Sequence, residues 1–101
     1  METLVNMVVQ KIAQKIKPEK IILFGSRARG DSEQESDLDL LIIYNGNLSK
    51  REVKLQVRNL FPQPEFSMDL FVLTSEEYER QKKIVSTVGR AAFLEGTVCY
   101  G

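Results

Sequence analysis

Histidine is absent from the 101-residue sequence, and cysteine occurs once, at Cys99. Without histidine there is no Ser-His-Asp or Cys-His activation of a nucleophile and no imidazole-bound zinc, so any metal must be held by carboxylates. A single cysteine excludes an intramolecular disulfide and suits a reducing cytoplasm; Cys99 itself reads as a small apolar filler rather than a reactive thiol. Long apolar runs are lacking too. The longest span a handful of residues, far short of the roughly 20 that a membrane helix needs, so neither a signal peptide nor a membrane span is expected. Excess charge of either sign is also missing: 14 basic and 14 acidic residues cancel. That leaves no global attraction to nucleic acid and counts against a polymerase-like role or direct nucleic-acid binding.

What remains is an ordinary globular composition, 43% apolar, which argues against disorder. Residues 1–101 are expected to form one domain with a single core and little room for a separate substrate-binding module. No repeat, linker or low-complexity segment interrupts it.

The chain is organised around residues 25–39. An apolar run, Ile21-Ile22-Leu23-Phe24, ends abruptly at Gly25-Ser26, a short charged loop follows, and a second run, Leu40 to Ile43, begins directly after Asp37-Leu38-Asp39. This reads as strand, phosphate-sized turn, strand. Side chains alternate along a strand, so Asp37 and Asp39 project from one face and Leu38 and Leu40 from the other. Two neighbouring carboxylates repel each other and call for a cation; all-oxygen ligands suit Mg²⁺ or Mn²⁺, with substrate phosphates completing the shell. Gly25 lets the backbone approach a ligand closely. Ser26 offers a hydroxyl and an amide where a short helix can start, so a triphosphate can sit there.

Arg27 and Arg29 can each meet phosphate oxygens. Either can equally pair with Asp31, Glu33 or Glu35, and Arg29 is favoured as structural support for the loop. Ser36 either orients the two aspartates or is a simple turn hydroxyl.

A third carboxylate adds weight. Asp69 is the one charge in the strand-like run Phe66 to Leu73, a position hard to explain as a solvated surface residue. An Asp-x-Asp pair alone also occurs in solvated turns. If the strand bearing Asp69 lies beside the one bearing Asp37 and Asp39, three carboxylates converge as the ligand set for two divalent ions in an in-line phosphoryl or nucleotidyl displacement.

Elsewhere the sequence predicts a helix over residues 3–16 with an inner face of Leu4, Met7, Val8, Ile12 and Ile16, stopped by Pro18. Lys11, Lys15 and Lys17 face solvent in this reading. Lys20–Phe24 is too apolar for either face to be exposed and is expected to be central in the sheet. Ser49-Lys50-Arg51-Glu52 matches a capping box that starts a helix near Lys50, with Val53, Val57, Leu60 and Phe61 inward. Pro62 and Pro64 end it before the Asp69 strand. Thr74-Ser75-Glu76-Glu77 is a second capping box, for a helix to about Lys82. Ile84, Val88, Ala91, Ala92 and Glu95 mark a further helix weakened at Gly89 and stopped at Gly96, and Thr97–Tyr100 can add an edge strand. The expected fold is α/β or α+β, a small mixed sheet carrying the three aspartates on one face with helices packed on the other.

Gly25-Ser26, the spacing to Asp37-Leu38-Asp39, and Asp69 on a later strand together resemble the signature of the DNA-polymerase-β-type nucleotidyltransferase superfamily. The fuller string Phe24-Gly25-Ser26-Arg27-Ala28-Arg29-Gly30 with Ser36-Asp37-Leu38-Asp39-Leu40 is similar to its smallest branch, the minimal nucleotidyltransferases (MNT proteins) of prokaryotes. The resemblance covers essentially the whole chain, including the ending Leu94-Glu95-Gly96-Thr97-Val98-Cys99-Tyr100.

That resemblance implies the polymerase-β-like fold and transfer of a nucleoside monophosphate from an NTP with release of pyrophosphate. Asp37 and Asp39 would hold two Mg²⁺ ions, Asp69 the catalytic one, and Gly25 and Ser26 the β and γ phosphates. Larger relatives carry a helical acceptor domain that this chain lacks, so a partner is expected to supply the acceptor. Many minimal nucleotidyltransferases are encoded beside a HEPN-domain RNase and act as antitoxins, transferring AMP from ATP to a tyrosine of that toxin. Two other functions stay open: an antitoxin that neutralises by binding alone, and a small-molecule nucleotidyltransferase of the aminoglycoside type. A homo- or hetero-oligomer is compatible with either.

Overall fold

The computed structural model describes residues 3–25, 38–62 and 66–101, and the structural statements below concern these residues. Ser26, Arg27, Arg29 and Asp37 lie outside them, as do Asp31, Glu33, Glu35 and Ser36.

Helix α1 spans Thr3–Ile16 and buries Val5, Val8, Val9, Ile12, Ala13 and Ile16. These positions follow the i, i+3, i+4 repeat of one helical face. The expected face was turned slightly: Met7 is exposed, while Val5 and Val9 are inside. Lys17 takes a positive φ of 55° and its N–H donates to the Ala13 carbonyl at 2.9 Å, closing the helix one residue before Pro18.

Strand β1 (Lys20–Phe24) then enters the middle of a four-stranded sheet. It pairs antiparallel with β2 (Leu38–Ile43) on one side and with β4 (Thr97–Tyr100) on the other, where the register shifts between Ile21 and Ile22. Strand β3 (Met68–Leu73) lies outside β2 and parallel to it, so the sheet order is β3-β2-β1-β4. Parallel neighbours need a crossover, here supplied by helix α2 (Lys50–Asn59). Both the central position of β1 and the edge position of β4 are as the sequence predicts.

The mixed α+β fold is the one expected, but the layering differs. One face of the sheet presents Ile21, Leu23, Leu38, Leu40, Ile42, Leu70 and Val72 to α1 and to Val53 and Val57 of α2. The other face presents Ile22, Phe24, Leu41, Ile43 and Leu73 to helices α3 (Ser75–Gln81) and α4 (Val88–Glu95), through Tyr78 and Ala92. Helices therefore cover both faces, including the one that carries Asp39 and Asp69. The reason lies in β1 and β2, which are apolar on both sides and would leave half of their side chains in water under a single layer.

Local signals set the ends of the helices. Thr74 forms the complete capping box with Glu77. Ser49 accepts from the Glu52 N–H, but the Glu52 carboxylate meets the Ser49 hydroxyl, so the reciprocal half of that box is not formed. Helix α4 begins at Val88 rather than Ile84. Ile84 and Val85 are exposed, Ser86 adopts φ 67°, and the Thr87 side chain caps the helix by accepting from the Arg90 N–H at 3.2 Å. Gly89, expected to weaken the helix, instead lets α4 approach α3: it is buried, and its N–H donates to the Gln81 side-chain oxygen at 2.8 Å. Cys99 turns toward the α1 side of the core, and burial pushes its thiol up from the ordinary range, in keeping with a packing role. No described helix is long and apolar enough to cross a membrane.

Candidate active site

The register of the sheet brings the chemistry-bearing residues together. Asp39 on β2 is paired across to Phe24 on β1 and, on its other side, to Asp69 on β3. Paired positions of adjacent strands share a face, so the two carboxylates stand side by side about 5 Å apart at the backbone. Asp39 is half-buried; Asp69 is exposed, contrary to the expectation that it avoids solvent, because β3 is the outermost strand of the sheet.

Both lie on the face covered by α3 and α4, each one residue from the start of its strand. Two residues along, at the level of Leu41 and Phe71, the core begins. The Phe24 and Phe71 rings, from the strands either side of β2, approach to 5.6 Å at an interplanar angle of 55° and mark that boundary. The carboxylates thus have an apolar floor on the side toward Leu41 and Phe71.

Gly25 completes the described part of the site. It ends β1 with φ 79°, a conformation L residues avoid, and a side chain there would collide with the Asp39 carboxylate. The turn is therefore held directly against Asp39, and the space a Cβ would fill is left to the carboxylate. This bears on whether a divalent ion fits. Two carboxylates in register beside Gly25, which brings no side chain, are the hard oxygen donors that Mg²⁺ or Mn²⁺ requires. Among the described residues there is no group of three potential ligands; Asp37, the third expected carboxylate, lies outside them.

Of the expected site residues, then, Gly25, Asp39 and Asp69 are brought together, and Ser26, Arg27, Arg29 and Asp37 fall outside the described residues. The sequence reading passed over one feature. An open cavity of about 760 Å³ adjoins Asp69, lined by Arg58 and Asn59 at the end of α2, by Phe61 and Pro62, by Phe66 and Ser67 ahead of β3, and by Met68 at its start. Arg58 reads in sequence as one more solvated charge of an amphipathic helix. Its Nη2 instead donates to the Met68 carbonyl at 3.2 Å, immediately before Asp69.

Comparison with known proteins bears on the family and the fold. The family model described as Polymerase beta, Nucleotidyltransferase matches residues 6–91. A protein of Methanocaldococcus jannaschii named "putative protein adenylyltransferase" is 56% identical over 39 residues, which are 39% of this chain and 37% of that protein. The match thus spans well under half the length of that relative. Two solved structures share the fold. One, a toxin-antitoxin with AMP-PNP, has 20% identity over 95% of this chain and 73% of its own, with a TM-score of 0.58. The other is the tri-AMPylated Shewanella oneidensis HEPN toxin in complex with MNT antitoxin, with 19% identity over 100% of this chain and 73% of that chain, and a TM-score of 0.54.

Proposed function

This chain belongs to the Polymerase beta nucleotidyltransferase family, and we propose that it transfers AMP from ATP to a partner protein, a HEPN-domain RNase toxin that it neutralises as an antitoxin in the cytoplasm. The observation that carries the chemistry is the in-register pair Asp39 and Asp69 beside the Gly25 turn. The choice of donor and acceptor is supported by the name of the Methanocaldococcus relative and by the toxin-antitoxin assemblies that share the fold.

In this reading Gly25 and Ser26 anchor the β and γ phosphates, the bare backbone of the turn allowing close approach. Arg27 meets phosphate oxygens and Arg29 braces the loop or does the same. Asp37 and Asp39 would hold two Mg²⁺ ions, with Mn²⁺ as a substitute, and Asp69 would share one of them. Bound there, the ions supply charge neutralisation at the reacting phosphate and acidify the acceptor hydroxyl. Asp69, exposed at the outer end of the row, accepts the hydroxyl proton. The hydroxyl oxygen then forms its bond to the α-phosphorus as the bond from that phosphorus to the bridging oxygen breaks and pyrophosphate leaves.

The test is incubation with Mg²⁺, ATP labelled at the α-phosphate and a HEPN-domain partner. Label should appear on the partner with this protein and not with the Asp37→Ala/Asp39→Ala variant. Labelling by the variant would remove these residues from the site. Neutralisation of the partner by the variant, without label, would instead establish an antitoxin that acts by binding alone.

A further inference from the structure

Asp69 stands level with Asp39 only while the start of β3 is held against β2, and the sheet holds it from one side. β3 is the outermost strand there, and Asp69 is its second residue. The Leu38 N–H donates to the Ser67 carbonyl at 2.9 Å, and Leu38 pairs with Met68. In a parallel ladder of that phase Met68 turns its own N–H and carbonyl away from β2, toward the side where no strand follows. The Asp39 and Asp69 carboxylates meanwhile repel each other and press this end of β3 outward.

The outward carbonyl is met by a side chain of the crossover helix. Arg58 lies in the last turn of α2, one residue after buried Val57, so it leaves the helix about 100° round from that core position. Its Nη2 donates to the Met68 carbonyl at 3.2 Å, a charge-assisted bond to the peptide group that joins Met68 to Asp69. The helix that carries it is itself anchored, since Val53 and Val57 are fully buried in the core between α2 and the sheet. Just ahead of β3 the Phe61 and Phe66 rings clasp the same connection, centroids 5.8 Å apart at 71°. That clasp fixes where the chain arrives, whereas the Arg58 bond fixes the peptide unit from which the Asp69 side chain projects. Resting on the transfer reading above, we infer that Arg58 is a positioning residue for the cation site: by holding the Met68 carbonyl it keeps the Asp69 carboxylate level with Asp39 against their repulsion.

The sign of the effect distinguishes positioning from plain charge. Arg58 and Asp69 line one cavity, so the guanidinium is a cation close to a cation site. By Coulomb attraction and repulsion alone, its removal would tighten the binding of a divalent ion. Loss of a positioning residue does the reverse, because outer groups that orient metal-binding side chains are worth about 10- to 100-fold in metal affinity.

The test is a Mn²⁺ titration of the whole protein, read by electron paramagnetic resonance. Arg58→Met keeps an apolar stem and removes the donor, and should weaken Mn²⁺ binding about tenfold. Arg58→Lys, which keeps a charged donor, should recover most of that loss. Lys54→Met removes the same charge from an exposed position of α2 and should bind as the parent does. Amide hydrogen exchange in metal-free buffer reads the cause. In Arg58→Met the Asp69 amide should exchange faster, while the Leu73 amide, at the far end of β3, keeps its parent rate and certifies the fold. Unchanged or tighter Mn²⁺ binding by Arg58→Met, equal loss in Lys54→Met, or an unaltered Asp69 amide would overturn the positioning role and leave the transfer reading in place. The tenfold loss without AMP transfer by the parent would support the role and count against transfer. A parent that takes up no Mn²⁺ would overturn both.

Discussion

Asp39 and Asp69 stand at the same level of two adjacent parallel strands, thirty residues apart in the sequence and on one face of the sheet. Like charges so placed raise the energy of the protein by itself and lower it when a cation joins them. Asp39→Asn should leave the protein folded in metal-free buffer, with a cooperative melting curve. The same variant should abolish the rise in melting temperature that Mg²⁺ or Mn²⁺ gives the parent, and lower transfer by about 100-fold or more. Melting curves with and without metal, alongside a transfer assay, read all three; chelation of the metal should stop transfer by the parent.

Gly25→Ala should separate the site from the fold. The substitution places a side chain in the left-handed region, at a cost of about 1–2 kcal/mol, and drives it into the Asp39 carboxylate. Transfer should fall far more than the denaturation midpoint does. Equal activity in the folded variant would show that the turn need not touch Asp39.

Gly89→Ala is the complementary case, at the α3–α4 contact. An added methyl would stand 2.5 Å from Cβ of Gln81, overpacking that costs about 1–3 kcal/mol. The denaturation midpoint should drop, while the metal-induced stabilisation of the folded protein should persist.

A pH-dependent contribution comes from Glu77. The Lys50 ammonium, bonded at 2.9 Å, and after it the Thr74 N–H, at 2.8 Å, hold its carboxyl down to about 2 from the ordinary 4.5. A carboxyl depressed on folding stabilises the protein above its unfolded value, so this contribution is complete above about pH 4.5 and is lost as pH falls toward 2. The pair is solvent-exposed enough that the effect stays below about 1 kcal/mol. Urea titrations of the parent and Glu77→Gln should differ most near neutrality and converge at pH 2.

The sequence made the centre of this fold legible because its signals are local. The double apolar faces of Lys20–Phe24 announce a central strand, Thr74 and Glu77 announce a helix start, and the apolar run around Asp69 announces a further strand, although Asp69 itself is exposed at the sheet edge. The error over helix layering came from weighing the aspartate face by its charged end and not by Phe24, Leu41 and Ile43, which need cover beyond it. The late start of α4 was hidden because Ile84 falls in helical phase with Val88, although Ser86 and Thr87 end one segment and cap the next. Arg58 could not be distinguished from other helix charges, since its partner is a main-chain carbonyl ten residues on.

The parallel pairing of β2 with β3 has a consequence for how the site comes into being. Between the two carboxylates lie the end of one strand, a turn, the whole of α2 and the approach to the next strand, and that loop must close before the pair exists. No peptide excised from the first half of the chain can carry the clamp, however faithfully it keeps the glycine turn. The proposed cation site belongs to the tertiary structure as a whole, and a protein stalled before β3 has docked has none of it.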